Sequence, residues 1–124
     1  MAGEAKINVK KVIDAQTVTA SSSYTSAVIP LDGFVRAGEY SLQISVTGDG
    51  TCKFEYLLSV NDQDYIEPAS GSDIASGITK TSGPGSDGKE IYSFATELAR
   101  FMKIKVTETG TSDSVVVNAW LALQ

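Results

Sequence analysis

Alternation of apolar and polar residues is the clearest pattern in the chain, and it predicts an all-β protein. Every second side chain is apolar in residues 40–47, and residues 52–60 repeat the pattern. Because successive strand side chains point to opposite faces, each segment predicts a strand with one buried face. A Gly-Asp-Gly turn at residues 48–50 lies between them. Residues 40–60 are therefore predicted to form one β-hairpin.

A second alternating pair closes the chain. Residues 102–107 alternate, and residues 114–124 return after a turn at 109–113, with no charged residue from 114 onward. These segments predict a second hairpin. Its return strand is apolar on both faces, and the face opposite Val117 carries Val116, Trp120 and Ala122. Such a strand is usually central in a sheet or covered by a partner.

Shorter strands are predicted elsewhere, at 7–13, 17–20, 24–29, 65–67 and 90–94. Residues 94–101 are the one helical candidate, of two turns at most. About eight short strands favour a two-sheet antiparallel sandwich or jelly roll. The predicted core consists of Leu42, Ile44, Val46, Phe54, Tyr56, Leu58, Ile104, Val106, Val117 and Leu121.

The length of 124 residues fits one domain, since a domain typically takes about 100 to 150 residues. Residues 1–20 are predicted to form an N-terminal arm and the first strand, and residues 21–124 the sandwich. Residues 68–88 are rich in Gly, Ser and Asp and predict a long flexible loop.

Catalytic chemistry is sparse in this composition. The chain has no histidine, which removes the usual general base and the commonest transition-metal ligand. Ser-His-Asp and Cys-His catalysis are thereby excluded. Cys52 falls on the apolar face of a predicted strand, so it is interpreted as a buried hydrophobe. The sequence therefore predicts a protein that is not an enzyme and holds no cofactor.

Two segments partly match the sequence patterns of known ligand-binding sites. Residues 83–90 match the phosphate-binding pattern G-x-x-x-x-G-K, but Glu90 replaces the required hydroxyl, and neither a buried strand before nor a helix after is predicted. A mobile turn is the favoured interpretation. The second segment is a group of acidic residues, whose carboxylates could bind Ca²⁺ or act as the catalytic pair of a glycosidase. They are Asp62, Asp64, Glu67, Asp73 and Asp87. Their spacing fits no EF-hand, and a solvated acidic rim is favoured.

The net charge limits the classes of molecule that the chain is expected to bind. A formal net charge of -5 opposes binding to nucleic acid and to anionic membranes. Residues 1–11 include Glu4 and no apolar targeting segment, and a single cysteine allows no intrachain disulfide. We therefore expect the chain to be made and folded in the cytosol, from which it can join an assembly that leaves the cell.

The C-terminal quarter consists of Ala99-Arg100-Phe101, the alternating strand, a turn, and an apolar strand with Ala119-Trp120-Leu121. In this order of features it resembles the ending of small virion proteins from tailed bacteriophages and prophages. The same quarter is also similar to the closing hairpin of discoidin-like and carbohydrate-binding jelly rolls. Neither likeness assigns a functional residue by position.

The first resemblance implies a structural protein that decorates or cements a phage capsid, with a head or tail location open. Its partners would be further copies of the chain, with a trimer favoured, and the phage major capsid protein. The virion, assembled in the host cytoplasm, would be its location. The predicted interface residues are Ile7, Val9, Tyr65, Val116, Trp120 and Ala122. The alternative is a carbohydrate-binding module, with Tyr65, Tyr92 and Trp120 as the rings that would stack on a glycan.

Overall fold

A computed structural model of the chain describes residues 7–32, 39–69 and 71–124. These ranges contain the strands β1 (Asn8–Val18), β2 (Ser23–Thr25), β3 (Ile29–Pro30), β4 (Glu39–Thr47), β5 (Cys52–Ser59), β6 (Asp73–Ile78), β7 (Lys89–Ala95), β8 (Phe101–Glu108) and β9 (Val115–Leu123). No helix lies in them, hence none that is long and apolar enough to cross a membrane. The predicted all-β fold is confirmed.

The strands form two antiparallel sheets that face each other across one core. Sheet A has the order β1-β9-β4-β7, and sheet B has the order β2-β8-β5-β6 with β3 also paired to β8. The central strands β9 and β4 of sheet A therefore lie opposite β8 and β5 of sheet B. The two-sheet sandwich is confirmed.

Both predicted hairpins are wrong. β4 belongs to sheet A and β5 to sheet B, and likewise β8 belongs to sheet B and β9 to sheet A. Each turn is an arch that carries the chain across the core. At the first arch Gly48 has a φ of 94°, and a Cβ there would lie 2.7 Å from the carbonyl oxygen of Ser114. Glycine is therefore required by the close approach of the two arches as well as by the backbone angle.

Two further predictions need correction. The candidate helix at 94–101 is absent, because β7 continues through Phe94 to Ala95 and β8 begins at Phe101. The Phe94 ring packs inward, with its centroid 5.3 Å from that of Tyr56 and 5.4 Å from that of Tyr40. The predicted loop at 68–88 is interrupted by β6, which pairs with β5.

The core consists of the inward-facing residues of both sheets. All ten predicted core residues are buried, and Leu42, Phe54 and Val117 are fully inaccessible. Cys52 is also buried in this core. Burial, together with the nearby charge of Glu108, raises the pKa of its thiol to about 12. The interpretation of Cys52 as a buried hydrophobe is therefore confirmed.

A buried carboxylate joins the turns at one end of the sandwich. Glu108 is 1% exposed. Its Oε2 accepts a hydrogen bond from the Thr51 N–H at 2.9 Å, and its Oε1 accepts from the N–H groups of Ser21 at 3.1 Å and Gly110 at 2.8 Å. These bonds, led by the one from Thr51, lower the pKa of Glu108 despite its burial. One side chain thus fixes the β1–β2 turn and the two arches relative to each other.

Replacing Phe54 by Ala should lower the free energy of unfolding by about 3 to 5 kcal/mol, as for other fully buried aromatics. Leu57→Ala, on the half-exposed outer face of the same strand, should cost about 1 kcal/mol. Urea denaturation measures both. Equal losses would contradict the assignment of inner and outer faces.

Replacing Glu108 by Gln should lower the urea midpoint at neutral pH, because an amide oxygen accepts weaker hydrogen bonds from three backbone N–H groups than a carboxylate does. The folded pKa is depressed from 4.5. The stabilisation is therefore present above pH 4.5 and is lost as the pH falls through the folded pKa.

The difference between wild type and Glu108→Gln should accordingly close on acidification, as urea midpoints across that range would show. The exposed Glu67 gives a matched control, since Glu67→Gln should leave the midpoint unchanged at neutral pH. A difference for Glu108→Gln that stays constant down to low pH would contradict this assignment.

Candidate interaction surface on sheet A

The outer face of sheet A is built by strand register. Cross-strand partners share a face, and one row runs from Lys11 on β1 through Trp120 on β9 and Gln43 on β4 to Ile91 on β7. A second row contains Val9, Ala122, Ser41 and Ser93. A third contains Thr17, Val116 and Thr47. We call these three rows the sheet A face.

The centre of the sheet A face is uncharged. The outward residues of β9 from Val116 to Ala122 and those of β4 from Ser41 to Thr47 are apolar, hydroxyl or amide side chains. Lysines lie on the flanking strands, at Lys11 on β1 and Lys89 on β7. Because a solvated antiparallel face normally carries charged residues throughout, this composition is typical of a surface that contacts another molecule.

Trp120 is the largest side chain of this face, and it is half-buried. The Lys11 Nζ lies 5.0 Å from its ring centroid, in a cation–π contact. Lys11 is held in turn by a salt bridge of 2.8 Å to Asp14. One face of the indole is therefore covered by an ammonium group, and the ring is positioned along the sheet.

Two register shifts in β1 shape the rim of the face. They fall between Lys11 and Ile13 and between Ile13 and Gln16. Within the second shift Ala15 has a φ of 46°, and its N–H donates to Oδ1 of Asn118 at 2.8 Å. The bulges let Ile13 enter the core while Lys11 stays on the outer face beside Trp120.

Five of the six predicted interface residues gather on this side of the molecule. Val9 lies in the second row opposite Ala122 and is 62% exposed. Ile7 is 69% exposed and lines a groove with Ala122 and Leu123 at the end of sheet A. Val116 and Trp120 lie in the other two rows. Their role as an interface remains a prediction.

Tyr65 lies elsewhere. Its ring is covered by the Lys103 Nζ at 4.1 Å on the outer side of sheet B, and its hydroxyl donates to Asp62. Partial burial and this hydrogen bond raise the pKa of Tyr65 to about 12. The sandwich thus separates Tyr65 from Trp120, and the two rings cannot belong to one contact surface.

The Tyr92 side chain also makes its contacts within the molecule. It pairs with Leu42 on the inner side of sheet A, and its hydroxyl donates to Oε2 of Glu90 at 2.6 Å. Half of this ring packs against the core. Of the three candidate rings for a glycan, Trp120 alone lies on the sheet A face.

The acidic candidates are dispersed among local hydrogen bonds. Asp64 accepts from Asn61, and Asp87 accepts from the N–H of Lys89. Within residues 7–32, 39–69 and 71–124, no three His, Cys, Asp or Glu side chains come together as metal ligands could. The segment 83–90 forms the turn before β7, and its Lys89 begins that strand.

Ile91 is the residue of this face that sequence reasoning missed. It is 62% exposed and lies in the same row as Trp120. The alternation of β7 places Ile91 opposite Tyr92 and Phe94, which was a signal that one apolar residue faces outward. The register that puts it beside Gln43 is a property of the fold.

Comparisons with known proteins give a likeness of fold. No protein-family model matches the chain. No curated protein matches it either. A crystal structure of the VP2 subviral particle of infectious bursal disease virus has a TM-score of 0.59 and 11% identity, over 95% of this chain and 32% of that one.

Two further solved structures differ in origin. Dimeric latent PorU from Porphyromonas gingivalis has a TM-score of 0.56 and 16% identity, over 97% of this chain and 13% of that one. The SPBc2 prophage-derived protein YomS covers 98% of this chain and 97% of its own at 9% identity, with a TM-score of 0.46 that is too low to support an argument.

The chain spans about a third of the length of the VP2 chains that it matches. At these identities the comparisons show a shared β-sandwich. The neighbours include VP2 of a viral particle and a dimeric protein from Porphyromonas gingivalis.

Proposed function

We propose that this chain is a structural virion protein without enzymatic activity, and that it decorates or cements the capsid of a tailed bacteriophage. The single observation that carries the proposal is the sheet A face, whose two central strands present a tryptophan and no charged residue outward. The β-sandwich shared with viral capsid proteins and the resemblance of the C-terminal quarter support the same role.

The sheet A face has the composition of a contact surface. Interface cores are depleted of charged residues and enriched in aromatics, and tryptophan is prominent among residues that dominate binding energy. Trp120 lies between Gln43 and Lys11, with Val116 and Ala122 along the same strand. A partner placed on this face would bury apolar groups without stranding a charge at the centre.

The partner is a further copy of the chain, the major capsid protein, or both. A homo-oligomer is expected, with a trimer favoured because the capsid-decorating proteins that this chain resembles often lie on threefold positions. Val9 and Ile7 extend the apolar surface toward the N-terminal residues 1–6, which lie outside the described ranges. Those residues are proposed to reach toward the capsid.

A carbohydrate-binding module is the second candidate, favoured by the partial exposure of Trp120. A sugar would have to stack on the ring face that Lys11 leaves open, or displace that lysine. Tyr65 cannot help, since it lies on the side of sheet B. Among the described residues Trp120 is the one aromatic on the sheet A face, which makes the carbohydrate-binding module the weaker candidate.

The virion role predicts that the chain travels with virus particles. Particles purified from the culture that produces this protein should contain it in multiple copies, as measured by quantitative mass spectrometry and by antibody labelling in the electron microscope. Uniform labelling of heads supports decoration. Its absence from purified particles would contradict the virion role.

The contact role predicts a loss of assembly when charge is placed on the sheet A face. A double variant, Val116→Lys with Ala122→Lys, should weaken self-association through the sheet A face by on the order of 100-fold or more, since an unpaired buried charge costs several kcal/mol. Sedimentation velocity and light scattering measure the change. The exposed Val60 supplies the control, because Val60→Lys adds the same charge away from sheet A.

The double variant should stay folded by circular dichroism, since both side chains are only half-buried. A wild-type chain that is monomeric at high concentration, together with binding on a glycan array that is lost in Trp120→Ala, would contradict the proposal and favour the carbohydrate-binding module.

A further inference from the structure

The two sheets have four edge strands, and three of them are shaped against pairing with another chain. β1 carries two register shifts and the positive φ of Ala15. β2 has three residues, and its neighbour β3 ends at Pro30. β6 contains Gly77 at a φ of 67° and is itself irregularly paired. Bulges, shortness and proline are the devices by which proteins protect sheet edges.

β7 has no bulge, is seven residues long and contains no proline, and its two charged residues, Lys89 and Glu90, lie together at its start. Its residues from Lys89 to Ala95 pair with β4 without a register shift, and it contains neither glycine nor proline. Its outward residue Ile91 is 62% exposed. A regular edge whose residues 91–95 carry no charge is a template for an added strand.

The direction of the backbone groups follows from one hydrogen bond. The Val46 N–H donates to the Gly88 carbonyl oxygen at 3.0 Å, and this pair directly continues the register of β4 and β7. Hydrogen-bonded pairs alternate along an antiparallel ladder. The N–H and C=O groups of Ile91 and Ser93 therefore point away from β4. Neither residue has a hydrogen bond on that side to any described part of the chain.

The ends of the β7 edge are already occupied. The Lys89 N–H donates to Asp87 Oδ1 at 3.2 Å, and its carbonyl oxygen lies against Gly83. At the other end the Ala95 carbonyl oxygen accepts from the Tyr56 hydroxyl at 3.5 Å. Four backbone groups in the middle of the edge are thus left for a partner.

We propose that β7 pairs with β7 of a second copy of this chain, antiparallel about a twofold axis at Tyr92, to join two A sheets into one. In this register Ile91 of each copy opposes Ser93 of the other. The four free backbone groups of one copy form four hydrogen bonds with the four free groups of the other. A twofold axis allows one self-complementary surface to serve both copies.

Charge favours a second copy as the occupant. Lys89 opposes Ala95 of the second copy, and Glu90 opposes Phe94, so no like charges face each other. The two Tyr92 residues meet as a close cross-strand aromatic pair, a favourable combination in sheets. Shifting the register to centre on Lys89 would oppose two lysines.

The contact is independent of the proposed virion role. It shares Ile91 and Ser93 with the sheet A face but forms through their backbone groups. It uses an edge instead of a face, and it is twofold. A chain with lysines at Val116 and Ala122 should still form it.

Disulfide trapping tests both the contact and its register. Opposed residues in a hydrogen-bonded pair have Cα atoms about 5.5 Å apart, within the range of about 4.4 to 6.8 Å that a disulfide spans. Diagonal residues are about 7 to 8 Å apart. Ile91→Cys and Ser93→Cys, mixed under mild oxidation, should therefore form covalent dimers on the order of ten times faster than either variant alone.

The matched control is Ile66→Cys, because Ile66 is 62% exposed like Ile91 but pairs with Leu58 beside sheet B. It should not crosslink with either variant. The native Cys52 is buried and has a pKa of about 12, so it stays unreactive. Rapid crosslinking of Ile91→Cys alone would overturn the register, and no enrichment in the mixture would overturn the contact.

A proline variant gives a second readout. Ile91→Pro removes an N–H that points away from β4, so the strand can remain paired within its own sheet. In the chain with lysines at Val116 and Ala122, where the β7 contact remains, Ile91→Pro should halve the sedimentation mass, whereas Ile91→Thr, which keeps the N–H, should retain the dimer. Equal masses for that chain with and without a folded Ile91→Pro would overturn the proposal.

Discussion

The burial of one face of β9 is the constraint on which the rest of the structure depends. Val115, Val117, Ala119, Leu121 and Leu123 are at most 1% exposed. β9 lies between β1 and β4, so this row fixes the inner surface of sheet A. Because side chains alternate, it also fixes Val116, Trp120 and Ala122 on the outside. The apolar surface proposed for assembly is thus a direct consequence of how β9 packs in the core.

The same packing requires that the turns cross the core. β8 and β9 each have one strongly apolar face, and those faces meet when the strands lie in opposite sheets. The arches are brought together at one end, where the Glu108 carboxylate accepts hydrogen bonds from Thr51, Ser21 and Gly110. A charged group can remain there because its oxygens are bound by backbone donors. At this end, the core is therefore closed by a hydrogen-bonded carboxylate in place of further apolar side chains.

Alternation predicted which residues are buried but not which strands are neighbours. Leu42, Phe54, Ile104 and Val117 were correctly placed in the core, since a period of two assigns the faces of a strand. The Gly-Asp-Gly turn at 48–50 suggested a hairpin because the same residues suit a tight turn and an arch. Only the meeting of Gly48 with Ser114, far away in sequence, distinguishes them.

Local composition led to wrong predictions of secondary structure in two other segments. Residues 94–101 have helix-forming side chains, but Phe94 is held in β7 by stacking on Tyr56, a tertiary contact that outweighs weak propensity. The Gly and Ser content of 68–88 concealed β6, a short edge strand that depends on pairing with β5. Neither contact is visible in a single sequence.

Part of the candidate site could be predicted from the alternation of side chains along a strand. Val116, Trp120 and Ala122 follow from the apolar second face of one strand, and Val9 from its neighbour. Tyr65 was grouped with them although it lies beside sheet B under Lys103. Ile91 was missed because its place in the row of Trp120 depends on the strand order β9-β4-β7. Register between distant strands is what links a set of exposed residues into a surface.

Trp120 is the single tryptophan of the chain and lies at the centre of the surface to which we assign assembly. Its fluorescence reports contact on that surface without label or substitution. The most direct measurement is acrylamide quenching of Trp120 over a wide range of protein concentration. The quenching constant should fall as concentration rises through the association range, in step with the sedimentation mass. A constant that stays unchanged while the mass rises, or a mass that never rises, would contradict assembly through the sheet A face.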